Sequence, residues 1–332
     1  MMTKIQSSLH SLHRMFWSIS RPMTLLFWAM VLTSILGLIG VLLDPRLVLG
    51  QSTWAKTTKF SLSIVLYAGS MLWVFGYDSL RPRLSRFILA TGAWILGLEM
   101  ILIILQGSRA VPMHFNNATP FDATLFSIMG ATITLFWFIN ALGVAVLLAQ
   151  QVPSPVLAWG LRLGFVIALL GMLEGFLMTG PTPDQMALLE AGQHAPMLGA
   201  HTVGAPDGGA GLPLLGWSTT HGDLRIGHFV GLHALQIVPL LGLLLMRRRE
   251  SWLATGHRLA LLWTGALGYL GVTALVTWQA LRAQPLFAPD ALTIAAFALL
   301  AGAMNISTVA ILLYARRQNR GVRVGTMPVT QM

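Results

Sequence analysis

Long runs of apolar residues alternate with short polar connections along the chain. Eight runs contain about twenty residues or more, the length a helix needs to cross the hydrocarbon core of a bilayer. Backbone polar groups cannot stay unpaired in lipid, so each run is predicted to form a complete transmembrane helix. The pattern predicts an all-α, polytopic membrane helical bundle of eight transmembrane helices, near residues 24–43, 58–77, 85–107, 122–150, 155–179, 226–246, 258–281 and 290–315.

One connection is much longer than the others. It follows the fifth predicted span, covers about residues 180–225 and is rich in Gly and Pro. A segment of this length inside a compact fold is commonly functional rather than a simple turn. We therefore predict a single membrane domain over residues 1–332, with one long Gly/Pro/His-rich loop on the outer side.

The composition agrees with a membrane environment. Hydrophobic residues make up 55% of the chain, charged residues only 10%, and the mean hydropathy is +0.71. A soluble domain carries roughly 25% charged residues, so most of this surface is expected to face lipid. The chain has no cysteine, which excludes a disulfide framework, a thiolate nucleophile and an iron–sulfur site.

Basic residues are distributed unevenly between the two sides of the predicted bundle. Lys and Arg are preferentially retained on the cytoplasmic side, so both termini are predicted to be cytoplasmic and the long loop to lie outside. This topology accounts for the net charge of +10, so no nucleic-acid partner is required and membrane lipids are the expected partners. All but six of the 21 basic residues lie on the side of the termini, and the six are Arg46, Lys56, Lys59, Arg109, Arg225 and Arg282.

Small residues recur at helical spacing on two predicted spans. Such stripes let helix backbones approach closely in lipid, so both are predicted to be packing faces. The stripe on the fourth span is Ala123, Ser127, Gly130 and Thr134, and the stripe on the fifth span is Gly164, Ala168, Gly171 and Gly175.

Several ionisable or polar side chains lie within the predicted spans or at their outer ends. Such groups are costly in a membrane and commonly mark functional sites. In the inner half only Asn305 is notable, so we expect a site just beneath the outer face. The predicted catalytic residues are Glu99, Glu174 and His233, and the predicted substrate-binding residues are Lys59, Arg109, His114 and Gln236.

A structural interpretation of the same residues is also open. Polar side chains within membrane helices can be ordinary interhelical hydrogen bonds. In that case Lys59 would pair with Glu99 or Glu174 and hold helices together without any chemistry.

Histidine and aspartate are concentrated in the long loop and just after it. Imidazole and carboxylate are the metal ligands available to a protein without cysteine. The alternative is that these histidines fix the loop to the bundle through hydrogen bonds. Haem is a weaker candidate than a divalent metal ion, because only the sixth span places histidines well inside the membrane. The predicted metal ligands are His201, His221, Asp223 and His228.

Three segments resemble a family of bacterial polytopic inner-membrane proteins whose activity is uncharacterised. The resemblance covers most of the chain and implies a bacterial inner-membrane location, but it implies no activity, cofactor or site. The segments are Lys59-Phe60-Ser61-Leu62-Ser63, His114-Phe115-Asn116, and Gly211-Leu212-Pro213 through to His233-Ala234-Leu235-Gln236.

These observations leave three classes of function open. The leading hypothesis is a membrane enzyme with an outward-facing site, a divalent metal ion as candidate cofactor, and a lipid or small molecule as substrate. The second is a proton- or ion-coupled transporter or channel with a path along Glu99, Glu174, Lys59 and His233. The third is a haem-binding redox protein, or a non-catalytic sensor or assembly factor that docks a partner on the outer loop.

Overall fold

The computed structural model describes residues 2–77, 80–248 and 250–325. Within these ranges it contains ten helices and four two-residue strands. The helices are α1 Met2–Ile19, α2 Arg21–Leu43, α3 Thr53–Phe75, α4 Pro82–Ser108, α5 Pro120–Ala149, α6 Pro155–Leu177, α7 Pro183–Glu190, α8 Leu224–Arg247, α9 Thr255–Leu281 and α10 Ala291–Gly325. The strands are β1 Leu47–Val48, β2 Gln51–Ser52, β3 Thr202–Val203 and β4 Gly222–Asp223.

The membrane architecture is the predicted one. Eight helices, α2 to α6 and α8 to α10, are long and apolar enough to cross a bilayer, one for each predicted span. This confirms an all-α polytopic bundle and a multi-pass membrane protein. The largest difference is α10, which continues well beyond the predicted end at residue 315.

Short-range chemistry sets where the helices begin. Proline occupies the first turn of α2, α4, α5, α6 and α7, where its missing N–H costs no hydrogen bond. The residue before several helices also accepts a hydrogen bond from an otherwise unpaired backbone N–H of the first turn. These capping residues are Ser20, Ser52, Thr119, Ser154, Thr182 and Asp223.

The N-terminal helix α1 was not predicted. Ser20 separates it from α2. The ring of Phe16 meets Phe27 edge-on, with centroids 5.4 Å apart, and Trp28 Nε1 donates to His13 Nδ1 at 3.2 Å. The helix therefore packs along the start of α2 as an addition to the eight spans. A hollow of about 300 Å³ opens beside this contact and is lined by Leu9, His10, His13 and Trp28.

The spans form two groups. α2, α3 and α4 pack on one another in the first group, and α6, α8 and α9 pack in the second. α5 lies between α4 and α6, while α10 packs on the far side of α9. The two groups also approach each other between α3 and α8.

The close approach of α6 and α8 depends on glycine. A Cβ added at Gly171 would lie 2.5 Å from the backbone of Gly231, and one added at Gly164 would lie 2.7 Å from the carbonyl oxygen of Ala234. No larger residue fits at either position without moving a helix. The predicted packing stripe on the fifth span is confirmed.

The predicted packing stripe on the fourth span is wrong within this chain. Ser127 and Gly130 are exposed, and a Cβ added at Gly130 would meet no atom within 4 Å. α5 instead buries the bulkier Met129 and Phe136 against its neighbours. Dispersion and close packing favour the larger side chains in the interior, so the small residues are left facing lipid.

These two stripes allow a matched stability test. Gly171→Ala is expected to lower the free energy of unfolding by about 1–3 kcal/mol, because the added methyl group forces α6 away from α8. Gly130→Ala adds the same atom to an open helix surface and is expected to be neutral or stabilising by up to about 1 kcal/mol. Thermal denaturation of both purified variants in detergent measures the difference. Equal stability of the two variants would contradict the close contact.

Four connections meet at one end of the bundle and form a folded layer, which we call the cap. β1 and β2 form a hairpin, and β3 pairs antiparallel with β4 through Thr202 and Asp223. The Asn117 N–H donates to the carbonyl of Pro196 at 2.8 Å, which joins two of the connections. The long predicted loop is thus structured by contacts with the other three. The cap comprises residues 44–52, 109–119, 178–223 and 282–290.

Candidate functional site

Four of the six basic residues on the cap side are arginines, and each forms an ion pair with an aspartate. The nitrogen–oxygen distances lie between 2.5 and 2.7 Å. The charge of each arginine is therefore balanced locally. The pairs are Arg46–Asp44, Arg109–Asp122, Arg225–Asp223 and Arg282–Asp290.

The other two basic residues are Lys56 and Lys59, one turn apart at the start of α3. Neither forms an ion pair with any residue that the structure describes. Lys59 Nζ donates to Gln51 Oε1 at 3.2 Å and to the carbonyl of Leu215 at 2.8 Å. Lys56 Nζ lies 5.9 Å from the ring centre of Phe60 and makes no hydrogen bond in the described ranges. Among the described residues, the Lys56 ammonium group therefore has no carboxylate within ion-pair distance.

Arg225, at the start of α8, contacts the same loop segment. Its Nη2 donates to the carbonyl of Gly216 at 2.5 Å, next to the carbonyl of Leu215 that accepts from Lys59. Lys56 is within electrostatic range of both Lys59 and Arg225. Three cations from two helices thus converge beneath one stretch of the cap.

His201 and Asp207 form a dyad in the same region. Asp207 accepts hydrogen bonds from the backbone N–H groups of His201 and Thr202, and its Oδ2 lies 2.5 Å from His201 Nδ1. With the proton assigned to Nδ1, facing the carboxylate, Nε2 is the basic nitrogen. Nε2 makes no hydrogen bond with the described residues. This is the geometry by which a carboxylate orients a histidine that acts as a base.

The protonation state of the dyad follows from its surroundings. Burial lowers the pKa of His201 to about 4; the hydrogen bond to Asp207 opposes this shift, and the charges of Lys56 and Arg225 add to it. Burial alone would raise the pKa of Asp207, but the hydrogen bonds from His201 and Thr202 hold it below its usual range. Near neutral pH the dyad is thus a neutral imidazole beside a carboxylate.

A second imidazole, His114, lies close by. Its ring centre is 5.6 Å from that of Phe60. Phe115 contacts both imidazoles, with its ring centre 6.2 Å from that of His114 and 4.8 Å from that of His201. Burial, then the positive charge of Lys56 and the neighbouring His201, lower the pKa of His114 well below its usual value. We call the whole set the cap cluster: Lys56, Lys59, His114, His201, Asp207 and Arg225.

The cap cluster contains predicted and unpredicted residues. Lys59 and His114 were predicted to bind substrate, and His201 was predicted as a metal ligand. Lys56 was identified only as a basic residue of the outer side, although its position one turn before Lys59 could have indicated a shared face. Asp207 reaches His201 only because the loop folds back on itself, and no local spacing indicates this.

A line of polar side chains continues from the cap cluster along α3 towards the other end of the bundle. Tyr67 Oη donates to Asn140 Oδ1 of α5 at 2.8 Å, and Gln236 Nε2 of α8 donates to Ser70 Oγ at 2.8 Å. Gln236, predicted to bind substrate, thus lies deeper than the cap. Asn140 is fully buried in the later half of α5 and was missed. We call this line the polar track: Lys59, Ser63, Tyr67, Ser70, Asn140 and Gln236.

The three predicted catalytic residues lie at separate helix contacts. Glu99 on α4 is buried and accepts a hydrogen bond from Thr132 Oγ1 of α5 at 2.6 Å. Glu174 on α6 faces Gly227 and Thr277, on α8 and α9. No hydrogen bond or ion pair within the described ranges joins Glu99 or Glu174 to His233 or to Lys59. The structural pairing of Lys59 with Glu99 or Glu174 is therefore not formed.

His233 and Arg109 are placed outside the cap cluster. The ring of His233 packs against Phe229, with centroids 4.1 Å apart and the two rings tilted by 46°. Arg109 binds Asp122 Oδ1 at 2.6 Å and also contacts Gln106 Oε1, which fixes the end of α4 to the start of α5. Its guanidinium is already engaged, so it adds no free positive charge to the cap.

The predicted metal site is not formed. Among the residues that the structure describes, no three His, Asp or Glu side chains are grouped so as to hold a metal ion. Asp223 caps α8 and binds Arg225, and His228 Nδ1 lies 2.8 Å from the carbonyl oxygen of Gly171. His201 is engaged with Asp207, and His221 contacts Thr220. The four predicted ligands are directed to four different partners.

The chain was compared with protein-family models, with curated proteins and with solved structures, and none of them matches it.

Proposed function

We propose that this chain is a membrane enzyme that binds an anionic amphiphile beneath the cap and uses His201 as the general base on its head group. One observation carries the proposal: each cap-side arginine is neutralised by an aspartate, whereas Lys56 and Lys59 have no carboxylate partner in the described chain. A half-buried ammonium group without a counter-ion is costly. A bound anion would remove that cost.

The charge balance indicates the type of head group. Arg225 and Asp223 cancel each other, His114 and His201 are neutral, and Asp207 offsets one of the two lysines. With both lysines protonated, one positive charge remains. A phosphodiester or a carboxylate, each with one negative charge, would complete the site. The location at the end of membrane spans favours a ligand whose tail lies in lipid.

The dyad supports acid–base chemistry on that head group. Nε2 of His201 would accept the proton of a water molecule or hydroxyl group, whose oxygen would then attack the carbonyl carbon or phosphorus of an ester in the bound amphiphile. The bond from that atom to the ester oxygen would break, and the imidazolium of His201 would return the proton to the departing alkoxide. Asp207 would keep the imidazole in the correct tautomer. Lys56 and Lys59 would stabilise the negative charge that develops on the oxygens of the reacting centre.

The cap would face the periplasm of a bacterial inner membrane, with both termini in the cytoplasm. The concentration of basic residues at the other end of the bundle supports this orientation. The substrate would then be a lipid of the outer leaflet.

Lys56→Gln separates binding from stability. The variant is expected to bind phosphatidylglycerol, a phosphodiester lipid with one negative charge, roughly tenfold more weakly, because a charge-assisted contact is lost. Its unliganded stability should be unchanged or higher, because Lys56 lies near two other cations. Native mass spectrometry from phosphatidylcholine nanodiscs containing phosphatidylglycerol measures the binding of phosphatidylglycerol. Thermal denaturation measures the stability of the unliganded protein.

Arg46→Gln is the matched control. Arg46 also lies on the cap side, but it pairs with Asp44 and is half exposed. This variant should retain phosphatidylglycerol as the wild type does. Undiminished lipid binding by Lys56→Gln would rule out the anion site.

A second candidate function is proton- or ion-coupled transport, and the polar track favours it. The track carries polar groups deeper than an outer catalytic site requires, and Gln236 Oε1 is buried without a hydrogen-bond partner in the described chain. Intramembrane polar groups of this kind can line a pathway. Proton or ion flux into liposomes, without any conversion of lipid, would favour this function over the enzyme.

A further inference from the structure

The last helix, α10, lies at the edge of the bundle. It packs chiefly against α9, towards which Leu300 and Met304 point. None of its most apolar 18-residue window is buried. Most of its surface in the membrane is therefore available to lipid or to another protein.

Asn305 is unusually placed on this surface. It lies at the midpoint of the span from Ala291 to Asn319, and its side chain is exposed. Nδ2 donates to the carbonyl of Ala301 at 2.8 Å, and Oδ1 has no hydrogen-bond partner within the described ranges. At the centre of a bilayer neither water nor a lipid tail can supply a donor. An amide at this depth is stabilised by a polar group from another helix.

The face around Asn305 has the spacing of a helix-pairing seam. Four small residues, followed by Asn305 and Val309, are separated in turn by four and by three positions. This spacing keeps all of them on one side of a helix. A Cβ added at Gly302 would meet no atom within 4 Å, so a second backbone could approach there. We call this face the α10 seam: Ala291, Ala295, Ala298, Gly302, Asn305 and Val309.

We propose that the α10 seam is the contact face of a homodimer in which the two Asn305 amides bond to each other across a two-fold axis. A carboxamide carries both a donor and an acceptor, so it is complementary to its own copy. Two copies of one chain also hold Asn305 at the same depth, whereas a different membrane protein would need a polar group matched to it. A single Asn in an otherwise apolar seam fixes the register and the number of helices.

Cysteine cross-linking tests the seam directly, because the chain has no cysteine of its own. Ala298→Cys lies on the seam, and Ala303→Cys is exposed on another face of the same helix. Oxidation in native membranes should convert the seam variant to a species of about twice the 36.0 kDa monomer mass. The control should remain monomeric. Equal cross-linking of both variants, or none at Ala298→Cys, would overturn the homodimer.

Substitution of Asn305 tests whether its amide group provides the affinity between the two copies of the chain. In the Ala298→Cys background, Asn305→Leu keeps the volume but removes the amide, and it should lower the cross-linked fraction roughly tenfold. Asn305→Gln keeps the amide donor and acceptor, so this variant should retain most of the cross-linked fraction. A cross-linked product of another mass would identify a different protein as the occupant and would contradict the proposal. Neither variant touches the cap cluster, so the result is independent of the proposed enzyme.

Discussion

Replacing His201 by glutamine is expected to lower the conversion of phosphatidylglycerol in nanodiscs by at least about a hundredfold, the scale of a lost general base. Glutamine has a similar length and can still hydrogen-bond Asp207, so the cap should remain folded and lipid affinity should change by less than about threefold. Liquid chromatography with mass spectrometry measures the lipid product. His194→Gln, which changes an exposed histidine of the same loop, should act as the wild type does.

The pH profile of the same reaction gives an independent check. The groups near His201 are Asp207, Lys56, Arg225 and His114. The active form is the neutral imidazole, so kcat/KM should fall as the pH drops through the pKa of about 4 in the free enzyme. A bound anion offsets the charges of Lys56 and Arg225 and raises the pKa of His201, so kcat should fall at a higher pH than kcat/KM. Full activity of His201→Gln, or a pH profile identical in that variant, would exclude the assigned role.

Arg225→Ala is expected to destabilise the protein by about 3–5 kcal/mol, the cost of leaving a buried charge without its partner. The side chain of Asp223 is 0% exposed and that of Arg225 is 25% exposed. Asp223 also caps α8 and accepts from the Ser218 N–H at 2.8 Å. Its unpaired charge would therefore loosen both the start of α8 and the adjoining cap segment. Thermal denaturation and limited proteolysis of the cap measure the two effects.

Arg248→Ala is the matched control for the loss of stability expected of Arg225→Ala. Arg248 pairs with Glu250 at 3.8 Å, and the two side chains are 67% and 38% exposed. An exposed ion pair contributes about 0–1 kcal/mol, so this variant should change stability little. Adding Asp223→Asn to Arg225→Ala removes the stranded charge and should recover part of the loss. Equal destabilisation by Arg225→Ala and Arg248→Ala would contradict the structural role of the buried pair.

The sequence predicts the spans well because their causes are local. A run of about twenty apolar residues has few alternatives to a membrane helix, and Pro and Ser at its start indicate where the helix begins. Periodicity also shows which small residues share a face, but it does not show which face meets a neighbour. This is why the glycine stripe of α6 was predicted correctly and the stripe of α5 was not.

The candidate site was harder to predict because its contacts are long-range. Lys59 and Leu215 are 156 positions apart, and Tyr67 and Asn140 are 73 positions apart. The predicted metal ligands are not grouped together for a different reason, since a residue type suited to a metal can serve another need. Asp223 directly precedes an apolar helix, which is the usual position of a capping residue, and this signal favoured the structural role over the ligand.

The cap is built from four connections that are separated along the chain by whole membrane spans, and this has a consequence for biogenesis. Membrane proteins are synthesised from the N-terminus, so the hairpin that supplies Gln51 emerges long before Leu215 and the start of α8. The earlier connections therefore remain without their contact partners until the later spans have been inserted. Lys56 and His201 are therefore brought together only late in synthesis, and an intermediate that ends before α8 would have five of the eight spans and would still lack Arg225 of the cap cluster.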